Sequence, residues 1–265
     1  KISALASSKI NRLSIGIQSF FEEDLKLMNR AHNQTEALDC IVKAKQYFKN
    51  ISIDLMYGIP QMSPQRWQEN IEKALSLEVP HISCYVLTVE PKTALERFIK
   101  NGIIRPVDDA VAAQHHAVLV EKTAAVGYHN YEFSNFGKEG FYSQNNMAYW
   151  QGKNYLGVGP SAHSFDGKKR SWNINNNIKY IHAIQENKLP IEREVLTITD
   201  RYNEYLMTGL RTMWGVSISK INLEFGKAFA TYLLKQAEKP LEEGLLKINQ
   251  KDTLLITEKG KFLSD

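Results

Sequence analysis

Polar residues close three otherwise apolar, strand-forming runs of this sequence. Gln18 follows "LSIGI", Asp54 sits within "ISIDLM", and Thr88 with Glu90 follows "CYVLT". In parallel α/β sheets and barrels, ligand sites form at the carboxyl ends of strands. A buried Asp or Gln must find hydrogen-bond partners, because leaving it desolvated and unpaired costs on the order of a few kcal/mol. Any one of these residues also serves as a structural anchor for a neighbouring loop. Their recurrence at equivalent ends of successive strands points instead to a ligand. A second concentration of chemistry is "YSQNNMAYWQGKNYLGVGPSAHSF", residues 142–165. It combines amides, aromatic rings and one histidine, His163, without a clean helical or strand period. Asn and Gly are ordinary loop formers, but so long an irregular segment inside a compact domain usually lines a site. His163 follows Gly157 and Gly159, where backbone can approach another group closely. It reads equally as a ligand or as a satisfied structural histidine.

The elements that position these residues alternate regularly. "ISALASSKINRLSIGIQSF" reads as helix, short loop and buried strand. A helix follows from Thr35 to near Asn50, with Ala37, Leu38, Ile41, Val42 and Ala44 as its core face. "ISIDLMYGIP" (51–60) is a run of strand formers closed by Gly58 and Pro60. Ser63-Pro64 opens the next helix, with proline in its first turn, and that helix stops before Pro80. "HISCYVLTVEP" (81–91) is a third strand, a long helix spans roughly 107–126, and "YHNYEFSNF" supplies a fourth strand. This alternation predicts βαβ units and a parallel sheet or partial (β/α) barrel over residues 1–170. After about Ser171 the texture becomes helical, ending in a small hairpin around residues 249–252. The pattern predicts a C-terminal helical, winged-helix-like domain over 171–265.

Composition narrows the function classes. A 265-residue chain with 43% hydrophobic and 23% charged residues buries a sizeable core. No apolar run approaches the roughly 18 residues of a membrane span. The two cysteines, Cys40 and Cys84, are far apart, which fits a reducing cytoplasm and neither a disulfide framework nor a metal knuckle. An excess of 33 basic over 29 acidic residues is too slight to argue for nucleic acid. The basic residues of the winged-helix-like tail are interspersed with acids, so DNA binding is a remote alternative. A metal-dependent hydrolase built from Asp54, His81 and His163 is equally remote, because no paired-histidine motif supports it.

"RLSIGIQSF" with "LMNRAH", "ISIDLMYGIP", "CYVLTVEP", "YEFSNF", "YW" and "GVGPSAHSF" together resemble the oxygen-independent coproporphyrinogen III oxidase-like family of radical S-adenosylmethionine (SAM) proteins. More narrowly, they are similar to its haem chaperone (HemW-type) branch. The match runs from about Asn11 to the end of the chain. It implies a partial barrel with SAM at the strand ends, contacted by Gln18, Arg30 and Asp54. An amide can donate and accept at once, and an arginine can clamp a carboxylate with two hydrogen bonds. An aspartate can accept from hydroxyls or an amine. Tyr85, Thr88 and Glu90 are softer candidates.

The resemblance also implies a CxxxCxxC loop whose thiolates hold a 4Fe-4S cluster. Cys40 and Cys84 have neither the number nor the spacing. The expectation is an N-terminally truncated member, with the cluster cysteines upstream of Lys1, that does not reduce SAM as it stands. In the haem chaperone branch the segment of residues 142–165 carries an HNxxYW motif associated with haem handling. Here it reads Asn145, Asn146, Met147, Ala148, Tyr149 and Trp150. An amide is a poor substitute for a haem-ligating histidine, which leaves Met147, Tyr149 or His163 as alternative ligands. Asn146, Tyr149, Trp150 and His163 are therefore the candidates for contacting haem or substrate. Haem binding and transfer is the function implied, with a haem-accepting protein or membrane-associated acceptor as partner. True oxidative decarboxylation of coproporphyrinogen III is the alternative.

Overall fold

Strand formers separated by well-capped helices build the first half of the chain around one sheet. The computed structural model describes residues 1–106 and 108–261. The chain divides into two compact units, Lys1–Tyr142 and Ser143–Asp265. The change of texture after Ser171 lies inside the second unit.

In the first unit the order is α1 (Ile2–Ala6), β1 (Arg12–Gln18), α2 (Glu22–Leu27), α3 (Gln34–Lys45), β2 (Asn50–Tyr57), α4 (Pro64–Ser76), β3 (His81–Val86), α5 (Ala94–Lys100), α6 (Asp109–Ala125), β4 (His129–Glu132) and β5 (Asn135–Gly137). Local chemistry explains the helix starts. Asn33 and Glu36 form a reciprocal capping box at α3, and Ser63 caps α4 with Pro64 in its first turn. Asp108 caps α6, and Val107, where the expected helix began, lies outside the described residues.

The five strands lie in the order β1-β2-β3-β5-β4, with β1, β2 and β3 parallel. "YHNYEFSNF" was expected to be one parallel strand; it folds instead into a hairpin, and β5 pairs antiparallel to both β3 and β4. The reversal falls at Phe133-Ser134, too tight a turn for strand periodicity to reveal. The sheet is therefore mixed and open, a partial barrel. Its outer face contributes Ile17, Ile53, Leu55, Ile82 and Phe136 to a core completed by Ile41, Trp67, Ile71 and Leu119 from the helices. Burial of such side chains is worth roughly 1.5–3 kcal/mol each.

The second unit holds α7 (Gln144–Trp150), β6 (His163–Phe165), β7 (Lys169–Asn173), α8 (Asn177–Gln185), β8 (Ile191–Val195), α9 (Ile198–Leu210), β9 (Val216–Ser217), α10 (Ile218–Glu224), α11 (Lys227–Glu242), β10 (Leu246–Ile248), β11 (Thr253–Ile256) and α12 (Glu258–Lys261). The antiparallel sheet β6-β7-β8 was not anticipated, because "KRSWN" and "EREV" carry too little apolar alternation. From α9 onward the winged-helix arrangement is as expected. Helices α9, α10 and α11 pack against a three-stranded sheet β10-β11-β9, around Tyr202, Val216, Ile221, Leu233 and Leu254. The β10–β11 turn falls at residues 249–252.

Candidate functional site

Register decides which side chains share the inner face of the first unit's sheet. Gly16 lies opposite Asp54, Asp54 opposite Ser83, Ser83 opposite Asn135, and Asn135 opposite Glu132. One polar row thus crosses all the strands. One register step away, Ser14, Ser52 and His81 form a second row.

The first row carries the strand-end site. A Cβ added to Gly16 would stand 2.9 Å from Gln18 Nε2, 3.3 Å from an Arg30 Nη and 3.9 Å from Asp54 Oδ2. The bare face of Gly16 is therefore the floor of a cradle ringed by an amide, a guanidinium and a carboxylate. Each reaches it by a specific device. Strand β1 changes register between Gly16 and Gln18, and Gln18 takes φ of 72°, a left-handed conformation that turns the chain out of the strand. Arg30 lies just beyond α2 rather than on it. Asn29, at φ 53°, closes the helix, with Arg30 N donating to Leu25 O and Asn29 N to Lys26 O. That is the Schellman stop, in which asparagine replaces the usual glycine. Asp54 comes from within β2.

Residues not singled out in the sequence hold this geometry. Asn70 Oδ1 accepts from Phe20 N at 2.7 Å and from Ser19 Oγ at 3.2 Å, while buried Asp24 accepts from Ser19 Oγ at 2.6 Å and from Arg66 at 3.0 Å. The turn after Gln18 is thereby tied to α2 and α4. Only knowledge of long-range contacts reveals these roles.

Burial raises the pKa of Asp54, against the hydrogen bonds of Ser14 and Ser83 and the charges of Arg12 and Arg30. Ser14 Oγ donates to Asp54 Oδ1 at 3.2 Å. A partly desolvated carboxylate of this kind gains from a cationic or hydroxyl-bearing ligand. Thr88 and Glu90 lie beyond β3, exposed and outside the cradle, and Tyr85 is 41% exposed on β3.

In the second row Ser14 is exposed, but Ser52 and His81 are sealed. His81 is fully buried, with Nδ1 2.6 Å from Ser52 Oγ and Nε2 2.8 Å from the Tyr131 hydroxyl. Burial, helped by the Arg12 charge, pushes its pKa down to about 3. Unfolding restores an ordinary pKa near 6.5, so the unfolded chain binds an extra proton between those values. The contribution of neutral His81 is complete above about pH 6.5 and is lost as pH falls toward about 3. His81→Gln is expected to flatten the acid limb of stability, read as urea midpoints at pH 7 and pH 4; an unchanged slope would contradict this assignment.

In the second unit, Gln144–Trp150 form helix α7 rather than irregular chain, capped by Ser143 Oγ accepting from Asn146 N at 3.4 Å. Tyr149 and Trp150 line a cavity of about 460 Å³, together with Tyr155, Phe165, Tyr205 and Phe225. Tyr149 meets Tyr155 edge-on at 4.9 Å between ring centres. Trp150 Nε1 is buried there without a hydrogen-bond partner. Asn146 and His163 are not part of this lining. His163 is exposed on β6, its ring 6.0 Å from that of Trp172. The close approach at Gly157 is to His163's own backbone: a Cβ there would lie 2.2 Å from His163 O.

Cofactor fit differs between the two groups that the resemblance implies. The Gly16 cradle offers the amide, guanidinium and carboxylate that suit SAM. An iron–sulfur cluster has no matching set of thiolates, since Cys40 and Cys84 sit on α3 and β3 and Cys84 is buried. Among the described residues, no cluster of three or more His, Cys, Asp or Glu side chains is arranged to hold a metal ion. No described helix is long and apolar enough to cross a membrane.

Comparisons with known proteins agree with this architecture. Residues 1–74 match the radical SAM superfamily and residues 196–263 match the HemN C-terminal domain. The solved structure of Escherichia coli coproporphyrinogen III oxidase (HemN), a radical SAM enzyme, superposes with a TM-score of 0.77. The superposition covers 99% of this chain and 64% of that one at 23% identity. The two family matches, with the shared fold, define a HemN-like radical SAM protein. Within that class, the heme chaperone HemW of Bacillus subtilis is 32% identical over all of this chain and 70% of its own length. The heme chaperone HemW of Lactococcus lactis is 31% identical over 98% of this chain and 68% of its own. The chain belongs to the HemW family.

Proposed function

We propose that this protein binds haem and passes it to an acceptor, using a radical SAM frame whose strand ends hold SAM. The observation that carries the haem reading is the aromatic cavity of the second unit, walled by Tyr149 and Trp150 of the "YW" motif. A planar, largely apolar ring with polar edges suits stacked aromatic walls, as in most cofactor sites. The role is the one named for the Bacillus and Lactococcus relatives.

In the first unit, Arg30 is positioned to clamp the carboxylate of SAM, Asp54 to accept from its amine or hydroxyls, and Gln18 to donate and accept through one amide. SAM in this class supplies hydrogen-abstracting radical chemistry when a reducing cluster is present. This chain's residues bind and orient SAM; they provide no cluster ligands. The acceptor is a haem-accepting protein or a membrane-associated one, and the second unit's interspersed charges do not favour nucleic acid.

Haem titration followed by absorbance tests this reading. Saturation at one haem per chain is the expected result, with no decarboxylation of supplied coproporphyrinogen III. Absence of saturable uptake, or carboxyl loss from the porphyrinogen with SAM and a reductant, would overturn it.

A further inference from the structure

The same cavity holds charge as well as aromatic rings. Of its acidic residues, Glu204 is engaged by Arg170, and Glu224 lies 3.8 Å from Lys220. Lys220 also stands 4.6 Å from the Tyr205 ring centre, a cation over an aromatic face. Arg201, in the first turns of α9, and Lys153, just beyond α7, line the cavity without a carboxylate partner among the described residues. Arg201 is half-buried, and a guanidinium stays charged at any ordinary pH. Trp150 Nε1 adds a buried donor with no acceptor. Cations without a carboxylate partner at the edge of an aromatic cavity favour an anionic group in the ligand.

We infer that Arg201 and Lys153 form a carboxylate clamp, so that the cavity selects a tetrapyrrole by its free acid side chains as well as by its ring. This rests on the haem-binding reading and assigns it a specificity determinant. Arg201 can meet a carboxylate through two parallel N–H donors, whereas Lys153 acts as a point charge at the rim.

The test compares haem with its dimethyl ester, in which both acid groups are blocked. Absorbance titrations are run on the wild-type protein and on the Arg201→Gln and Arg201→Lys variants. Wild-type protein is expected to prefer haem by roughly tenfold or more, the effect of a charge-assisted contact. Arg201→Gln should lose most of that preference while binding the ester unchanged, and Arg201→Lys should restore part of it. If wild-type protein binds haem and ester equally, the clamp is wrong and the haem-binding reading stands. If neither binds, the haem-binding reading itself fails. Should Arg201→Gln not fold, the wild-type comparison at low and high salt decides, since a clamp loses its preference as salt rises.

Discussion

Valine at position 16 is expected to weaken SAM binding at least tenfold while leaving the first unit folded. The nearest atoms to an added Cβ at Gly16 are the ends of three side chains, Gln18, Arg30 and Asp54, at 2.9, 3.3 and 3.9 Å. No backbone atom is among them, so the sheet itself has no reason to move. Gly16 also sits in a strand, where a β-branched residue is comfortable. The added methyl groups would occupy the floor of the cradle and push its polar ends apart. Losing one charge-assisted hydrogen bond to a ligand costs about 1.5–3 kcal/mol, which is tenfold or more in affinity. Equilibrium dialysis with labelled SAM, beside a thermal melt, makes the comparison. Unaltered affinity in a folded Gly16→Val protein would remove the cradle as the SAM site. The contrast with Gly157 is instructive, because a Cβ there meets backbone at 2.2 Å and only a rearranged loop could hold it.

Trp67→Ala is expected to cost about 3–5 kcal/mol of stability, the range for deleting a fully buried large aromatic. Trp67 is completely buried on α4, and its Nε1 donates to His115 O at 2.7 Å. Its ring stacks with His115 at 5.9 Å and meets Tyr57 at 5.7 Å. His115 Nδ1 in turn accepts from Gly58 N at 3.3 Å. The indole therefore braces the carboxyl end of β2, the strand that carries Asp54. Alanine would leave a cavity and remove the indole's hydrogen bond to His115 O, and against a typical total of about 5–15 kcal/mol the loss is large. Urea unfolding at pH 7 measures it directly. A change under about 1 kcal/mol would show that the core closes around the gap.

Legibility in the sequence followed the range of the interactions. The alternation of β1, α3, β2, α4, β3 and α6 was readable because each element carries its own period, and at Ser63-Pro64 a recognisable helix start. Gln18 and Asp54 were visible because a polar residue in an apolar run is locally anomalous, and the structure brings both to Gly16 together with Arg30. That Gly16 is the common floor was not readable, since it follows from the register of β1 against β2 and the irregularity before Gln18. The contacts of Asn70 with Phe20 and of Arg66 with Asp24 join residues more than forty positions apart and leave no local trace. The hairpin of β4 and β5 hid inside one strand-like run, because its turn needs no glycine or proline. In the second unit, Tyr149 and Trp150 were singled out and do share a cavity. Arg201 was not, because a charge on an amphipathic helix is ordinarily solvated, and only its place in the cavity lining distinguishes it.

The central claim is that one chain keeps two separate ligand sites, SAM at the strand ends of the first unit and haem in the cavity of the second. Hydrogen–deuterium exchange of the protein alone, with SAM, and with haem tests it most directly. The account predicts that SAM protects peptides spanning residues 14–30 and 50–58. Haem should protect residues 144–155 and the first turns of α9, leaving the strand ends unchanged. Haem-induced protection at the strand ends, with none around Tyr149, Trp150 and Arg201, would contradict it.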